Sequence, residues 1–145
     1  NPKLEIDYFK GNRVFFKDNS SEKFDTIIAC TGYTLSHPFF DKKFLNYSEG
    51  PVPLYLKMFH PIHDNLFFIG MFQPLGCIWP ASEQQSKLLT LLMNGTWKRP
   101  SNIKELCDRE VTHPHMNQIK TSRHRITVDF HQFMKDLRKQ VKKAF

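Results

Sequence analysis

At 145 residues, 40% of them hydrophobic, the chain is long enough for one ordinary domain that buries about two thirds of its unfolded surface. The net charge of +7 is lopsided: basic and acidic side chains balance over residues 1–95, and residues 96–145 carry the whole excess, which reads as a nucleic-acid surface, an anionic-membrane surface or a solvated helix face. No apolar run reaches the roughly 18 residues that cross a bilayer, and Cys30, Cys77 and Cys107 are odd in number and far apart, against a disulfide framework, zinc ribbon or dithiol centre and for reduced, buried thiols.

The chain opens on Asn1, without methionine or leader, directly in a strand pattern, so a fragment of a longer protein is expected. Leu4, Ile6 and Tyr8 alternate with charged neighbours, Lys10-Gly11-Asn12 is a turn, and Val14 to Phe16 resumes the apolar character, which predicts a hairpin. After Asp18-Asn19-Ser20-Ser21, the run Phe24 to Cys30 has the length and composition of a strand buried on both faces. A three-stranded meander ending in that buried strand is expected. Some twenty polar, Pro- and Gly-bearing residues follow, the length of a linker or functional loop.

Leu54 to Phe59 and Leu66 to Gly70 read as two more strands, separated by the turn His60 to Asn65. Buried strands that end near glycines point to a parallel α/β sheet with ligands at the carboxyl ends of its strands. A helix is predicted from Ser82 to Met93, opened by a Ser82-x-x-Gln85 capping box and closed by Asn94-Gly95. A second helix starts at the Ser101 cap and fails before Pro114. The last begins at Asp129, with Phe130, Phe133, Met134, Leu137, Val141 and Ala144 on one face and lysines and Arg138 on the other.

For chemistry the pattern is selective. His60-x-x-His63 and His113-x-His115 flank prolines, lack helical i, i+4 spacing and have no third ligand at a characteristic distance, so no metal is expected. Neither G-x-S-x-G, nor G-x-G-x-x-G, nor a P-loop occurs, so the usual nucleophile elbow and phosphate cradle are missing from this chain. What remains is a pair of glycine-punctuated strand ends, Ala29 to Tyr33 and Phe68 to Gly76. Either they let backbone approach a flat or phosphorylated ligand beside a helix N-terminus, or they are tight loops around a core.

Three ordered blocks resemble the C-terminal part of the flavin-containing monooxygenases: Ala29-Cys30-Thr31-Gly32-Tyr33 after Asp25 to Ile28, with Cys30 where alanine is usual; Asn65 to Gly70 followed by Gln73-Pro74-Leu75-Gly76-x-Ile78-x-Pro80 with Glu83 and Gln85; and His124 to Phe130 with Met134 to Leu137. The resemblance covers roughly residues 24–140. It implies an α/β fold, the C-terminal fragment of a Rossmann-like flavoprotein with two dinucleotide-binding domains, in which a β-meander precedes further strands and C-terminal helices. Residues 1–30 would close the NADPH-binding domain, 31–53 would be the interdomain linker, and 54–145 the C-terminal segment of the FAD-binding domain. Both glycine-rich fingerprints would lie upstream.

The same resemblance implies FAD and NADPH as cofactors, a flavin hydroperoxide formed with O2, and oxygenation of a small-molecule substrate with a soft nitrogen or sulfur nucleophile. Gln73, Pro74, Leu75, Gly76, Ile78 and Trp79 would wrap the pyrimidine edge of the flavin, Gln73 by hydrogen bonding and Ile78 and Trp79 by excluding water. Thr31, Gly32 and Tyr33 would contact the nicotinamide cofactor or brace the crossing. No individual catalytic residue is singled out. The implied partners are the upstream FAD- and NADPH-domain segments, with no nucleic acid, no transmembrane segment and at most a weak membrane-surface contact of the basic tail. Cytoplasmic localisation is expected, or association with the endoplasmic reticulum membrane in a eukaryote. A Baeyer–Villiger or N-hydroxylating relative is the alternative within the enzyme class, and a non-catalytic scaffold or binding fragment the alternative outside it.

Overall fold

The computed structural model describes residues 2–32, 35–41, 44, 52–113 and 125–145. Tyr33, eleven of the 23 residues of the expected linker 31–53, and the histidines at 115 and 124 lie outside the described residues. The chain divides into two compact units, Asn1–Thr34 and Leu35–Phe145.

The first unit is an antiparallel sheet of β1 (Ile6–Lys10), β2 (Arg13–Phe16) and β3 (Ser21–Lys23) in the order β1-β2-β3. Gly11 turns the β1–β2 hairpin at φ +60°, a left-handed conformation that L side chains disfavour. Tyr8 stacks on its cross-strand neighbour Phe15 at 4.5 Å between ring centroids, while Val14 and Phe16, two apart on the other face of β2, are buried.

The meander is therefore as read from sequence, but its third strand is not the apolar run. Residues 24–30 form no strand, and Ile27 and Ile28 are 53% and 81% exposed. The physical reason is the ladder: a strand must hydrogen-bond a neighbour, and among the described residues the segment pairs with none beyond the bond from the Phe24 amide to the Asn12 carbonyl. Cys30 and Cys77 are likewise exposed, which corrects the expectation of buried thiols for two of the three cysteines.

In the second unit, α1 (Trp79–Met93) and α3 (Phe130–Lys142) pack on each other, with α2 (Ile103–Thr112) between them in sequence. Phe72 meets Phe133 at 4.8 Å and Phe59 stacks on Trp97 at 5.3 Å, and with Leu88, Cys107 and Leu137 these side chains form one core. Asp129 caps α3 as its sequence predicts, its carboxylate accepting from the Gln132 amide at 2.9 Å. Gly95, at φ +78°, ends α1 with its amide on the Leu92 carbonyl.

Three expectations fail here. Leu54 to Phe59 is buried but is not a strand: Tyr55 and Phe59 exchange backbone hydrogen bonds across a tight turn in which Leu56 and Lys57 take φ +54° and +52°. Leu66 to Gly70 contributes only an isolated bridge, Phe67 to Phe59. The expected parallel sheet is thus absent among the described residues, where the parallel pairing is the single bridge Gln73 to Thr127. A short apolar run reports burial and cannot by itself distinguish a strand from a buried turn. The Ser101 cap also fails, since α2 starts behind Asn102 without a side-chain cap.

Candidate functional site

Residues 70–78 form a strap that leads from the core into α1. Gly70 begins it at φ +77°, which suits glycine for its backbone rather than for space, because an added Cβ would make an ordinary contact with Ser82 Oγ at 3.5 Å. Met71 and Phe72 then turn inward and are buried. The backbone of Gln73 is pinned on both sides: its amide donates to the Ile126 carbonyl at 2.8 Å and its carbonyl accepts from the Val128 amide at 3.1 Å. Its side chain is left exposed.

Beyond Gln73 the strap presents apolar surface. Pro74 and Ile78 are half-buried, Leu75 is 85% exposed and Trp79 78% exposed. Gly76 stands at φ +121° with no heavy atom within 4 Å of where a Cβ would lie. Ile78 is the N-cap residue of α1 and offers no side-chain cap, Pro80 sits in the first turn, and no acidic residue occupies that turn. The positive end of the helix dipole is therefore not offset from within the first turn.

The predicted capping box does not form. Ser82 Oγ donates instead to the Ile78 carbonyl at 3.2 Å, and Gln85 is fully buried. Its Oε1 accepts from the Gly70 amide and its Nε2 donates to the Leu56 carbonyl, each at 2.9 Å. Leu56 is held from its other side by Glu110 Oε1, which accepts its amide at 3.2 Å, while Glu110 Oε2 pairs with Lys57 Nζ at 3.4 Å. The Tyr55 amide donates to Cys107 Sγ at 3.2 Å. Burial pushes the Cys107 thiol up to about 11, so it is an inert core group, and burial with the nearby Glu110 charge pushes the Tyr55 phenol up to about 12.

Sequence reading missed Lys57, Glu110 and the buried role of Gln85. The only signals were a lysine inside an apolar run and a glutamine one turn into an apolar helix face, and neither identifies a partner 29 to 54 residues away.

His60 is also committed to structure. Its Nε2 donates to the Phe44 carbonyl at 2.6 Å, which follows because Nδ1 accepts the amides of Ile62 and His63. Burial pushes its pKa down, with help from His63 and Arg99. Among the described residues no three His, Cys, Asp or Glu side chains converge on a point that would hold a metal. A groove of about 730 Å³ runs along α3, floored by Pro80, Phe130 and Met134 and edged by Lys135, Arg138, Lys139, Lys142 and Lys143.

Of the predicted site residues, Gln73, Pro74, Leu75, Gly76 and Ile78 lie on one strap ahead of α1, and Trp79 is the first residue of α1. Thr31 and Gly32 are exposed and belong to the first unit, Gly32 at φ +84°. No helix of the described residues is long and apolar enough to cross a membrane.

An antiparallel meander followed by a helical unit makes this an α/β chain, in which a glycine-marked strap leads into a helix without a side-chain cap. The family model for flavin-binding monooxygenase-like proteins matches residues 2–144, and the chain belongs to that family. It is 37% identical over 121 residues to the 4-hydroxybenzoate brominase (decarboxylating) of Marinomonas mediterranea, covering 82% of this chain and 22% of that protein. To flavin-containing monooxygenase 5 of Oryctolagus cuniculus it is 31% identical over 140 residues, covering 93% and 26%. To dimethylaniline monooxygenase (N-oxide-forming) 2 of Rattus norvegicus it is 36% identical over 98 residues, covering 66% and 18%. The chain thus spans about a quarter or less of the length of these relatives.

Proposed function

We propose that the full-length protein is a flavin monooxygenase that uses FAD, NADPH and O2, and that this chain supplies the wall of its flavin site. The single observation that carries the reading is the strap: an exposed Gln73 side chain on a pinned backbone, exposed apolar Leu75 and Trp79, and an uncapped helix N-terminus directly behind them. These residues fit a ring that is apolar on its faces and gains electron density at one edge, because the open space at Gly76 admits close approach and the helix end favours negative charge. Held there, FAD would supply two-electron chemistry between NADPH and O2, with one oxygen atom going to a nucleophile and the other to water.

In this reading the Gln73 side-chain carboxamide would hydrogen-bond the ring edge, the α1 N-terminus would stabilise charge there, and Ile78 and Trp79 would exclude water. Residues 1–30 close the NADPH-binding domain, 31–53 cross back, and 54–145 complete the FAD-binding domain, an organisation supported by the division of the chain after Thr34. Missing segments of those domains are the partners of the apolar surface at Ile27 and Ile28. The nucleophile class is a soft nitrogen or sulfur, with bromide the competing acceptor that the name of one relative raises. Replacing Gln73 by Ala in the full-length protein is expected to weaken flavin retention or raise hydrogen peroxide release per NADPH consumed. Flavin content and coupling both equal to wild type would overturn the role of Gln73.

A second reading rests on the groove along α3. Its five cations form no ion pair among the described residues and repeat at i, i+4 spacing, which is destabilising unless an anionic partner is near. A weak, salt-sensitive contact with an acidic surface follows from that arrangement.

A further inference from the structure

We propose that Gln85 is a positioning residue of the flavin site: it fixes where the strap begins by tying the Gly70 amide to the Leu56 carbonyl from inside the core. The inference rests on the reading of the strap as the flavin wall.

A buried carboxamide costs free energy unless both its ends are hydrogen-bonded, and an apolar residue of similar size would fill the same space without that cost. Gln85 is fully buried and both ends are used, at 2.9 Å each. The partners also fix its orientation, because an amide N–H can only donate and a carbonyl can only accept, so Oε1 faces Gly70 and Nε2 faces Leu56. No neighbouring backbone replaces it in that arrangement, since Gly70 and Leu56 belong to different turns.

The far partner is itself held rigidly. Leu56 lies in the left-handed turn 55–59, its amide on Glu110 of α2 and the adjoining Lys57 on the other oxygen of the same carboxylate. A chain of hydrogen bonds thus runs from α2 through the turn and Gln85 to Gly70. Three residues further on, the backbone of Gln73 is pinned between residues 126 and 128. Between those two anchors Met71 and Phe72 are buried. The strap can shift at Gly70 only by breaking the Gln85 bonds, and a shift of that end displaces Gln73 relative to α1, the helix that carries Gln85 in its second turn.

The test uses the full-length protein with Gln85→Met, which keeps the volume and removes both bonds, and Gln85→Glu, which keeps the shape. A buried glutamic acid has a raised pKa. Below that pKa the neutral acid restores both an acceptor and a donor; above it the carboxylate faces the Leu56 carbonyl and the donor is lost. Flavin affinity of Gln85→Glu is therefore expected to match wild type at low pH and to weaken as pH rises through the carboxyl pKa, while Gln85→Met is weaker by about ten-fold at every pH, the scale of one to two lost hydrogen bonds. Affinity is read per folded protein beside Leu88→Ala, a core variant of the same helix that lowers stability and leaves the strap bonds intact.

Amide hydrogen exchange at Gly70 supplies the second readout, slow in wild type and fast in Gln85→Met. Flavin affinity of Gln85→Met equal to wild type, a pH-independent Gln85→Glu, or a loss matched by Leu88→Ala overturns the proposal. Should wild type bind no flavin, the reading of the strap fails, and unchanged Gly70 exchange in Gln85→Met would separately overturn the positioning claim. Where Gln85→Met does not fold, the pH course of Gln85→Glu decides.

Discussion

Residues 24–30 and 54–59 are both apolar runs of strand length with one charged residue inside, Asp25 and Lys57, and they have opposite fates. Leu54, Met58 and Phe59 are completely buried, whereas Ile28 is 81% exposed. The second run folds back on itself, satisfies its backbone through Tyr55 and Phe59, and receives side chains from α1 and α2. The first needs a neighbouring strand that the described residues do not provide. Apolar composition states a demand for burial, and whether that demand is met depends on whether the partner lies in the same chain.

The largest effect lies in the core of the second unit. Phe133→Ala removes a fully buried ring that meets Phe72 and is expected to cost about 4 kcal/mol, read as a lowered denaturant midpoint. Next in size is Glu110→Ala, which leaves Lys57 as an unpaired buried charge and the Leu56 amide without its acceptor. The loss should be about 3 kcal/mol by the same measurement, and a value near zero would show that the turn 55–59 does not depend on α2.

A smaller effect is expected from pH. His60 is held neutral, with its folded pKa below the ordinary value of 6.5 and Nδ1 occupied by two amides. Below that value the unfolded chain binds the proton that the folded chain refuses, so this stability is present above pH 6.5 and is lost as pH falls. Thermal melts between neutral and mildly acidic pH should show the slope in wild type, and less of it in His60→Gln. Smallest is Ile28→Ala, expected to change the stability of this chain by less than about 0.5 kcal/mol, as for an exposed side chain. A cost of several kcal/mol in the full-length protein would show the run paired and buried there, and the contrast with 54–59 would then be one of assembly alone.

Local features were legible where the determining atoms are close in sequence. The hairpin with Gly11, the Asp129 cap and apolar face of α3, and the Gly95 terminus of α1 each rest on residues within about two helical turns, and each stands as read. The Ser82-x-x-Gln85 pattern failed although it is just as local, because a buried amide at Gly70 competes for the glutamine and the helix starts three residues earlier, behind Ile78. Of the candidate site, the stretch Gln73 to Trp79 was visible through Pro74, Gly76 and the flanking Gly70 and Pro80, while the frame that holds it was not.

The amino-acid sequence by itself determined the family, the helices and the composition of the strap, since side-chain chemistry and spacing are written directly in it. Only the tertiary structure decided that 54–59 is a left-handed turn, that Gln85 and Glu110 face inward to hold it, and that Ile28 stays in water. Those outcomes depend on which distant backbone groups lack a partner, and that is settled when the chain packs.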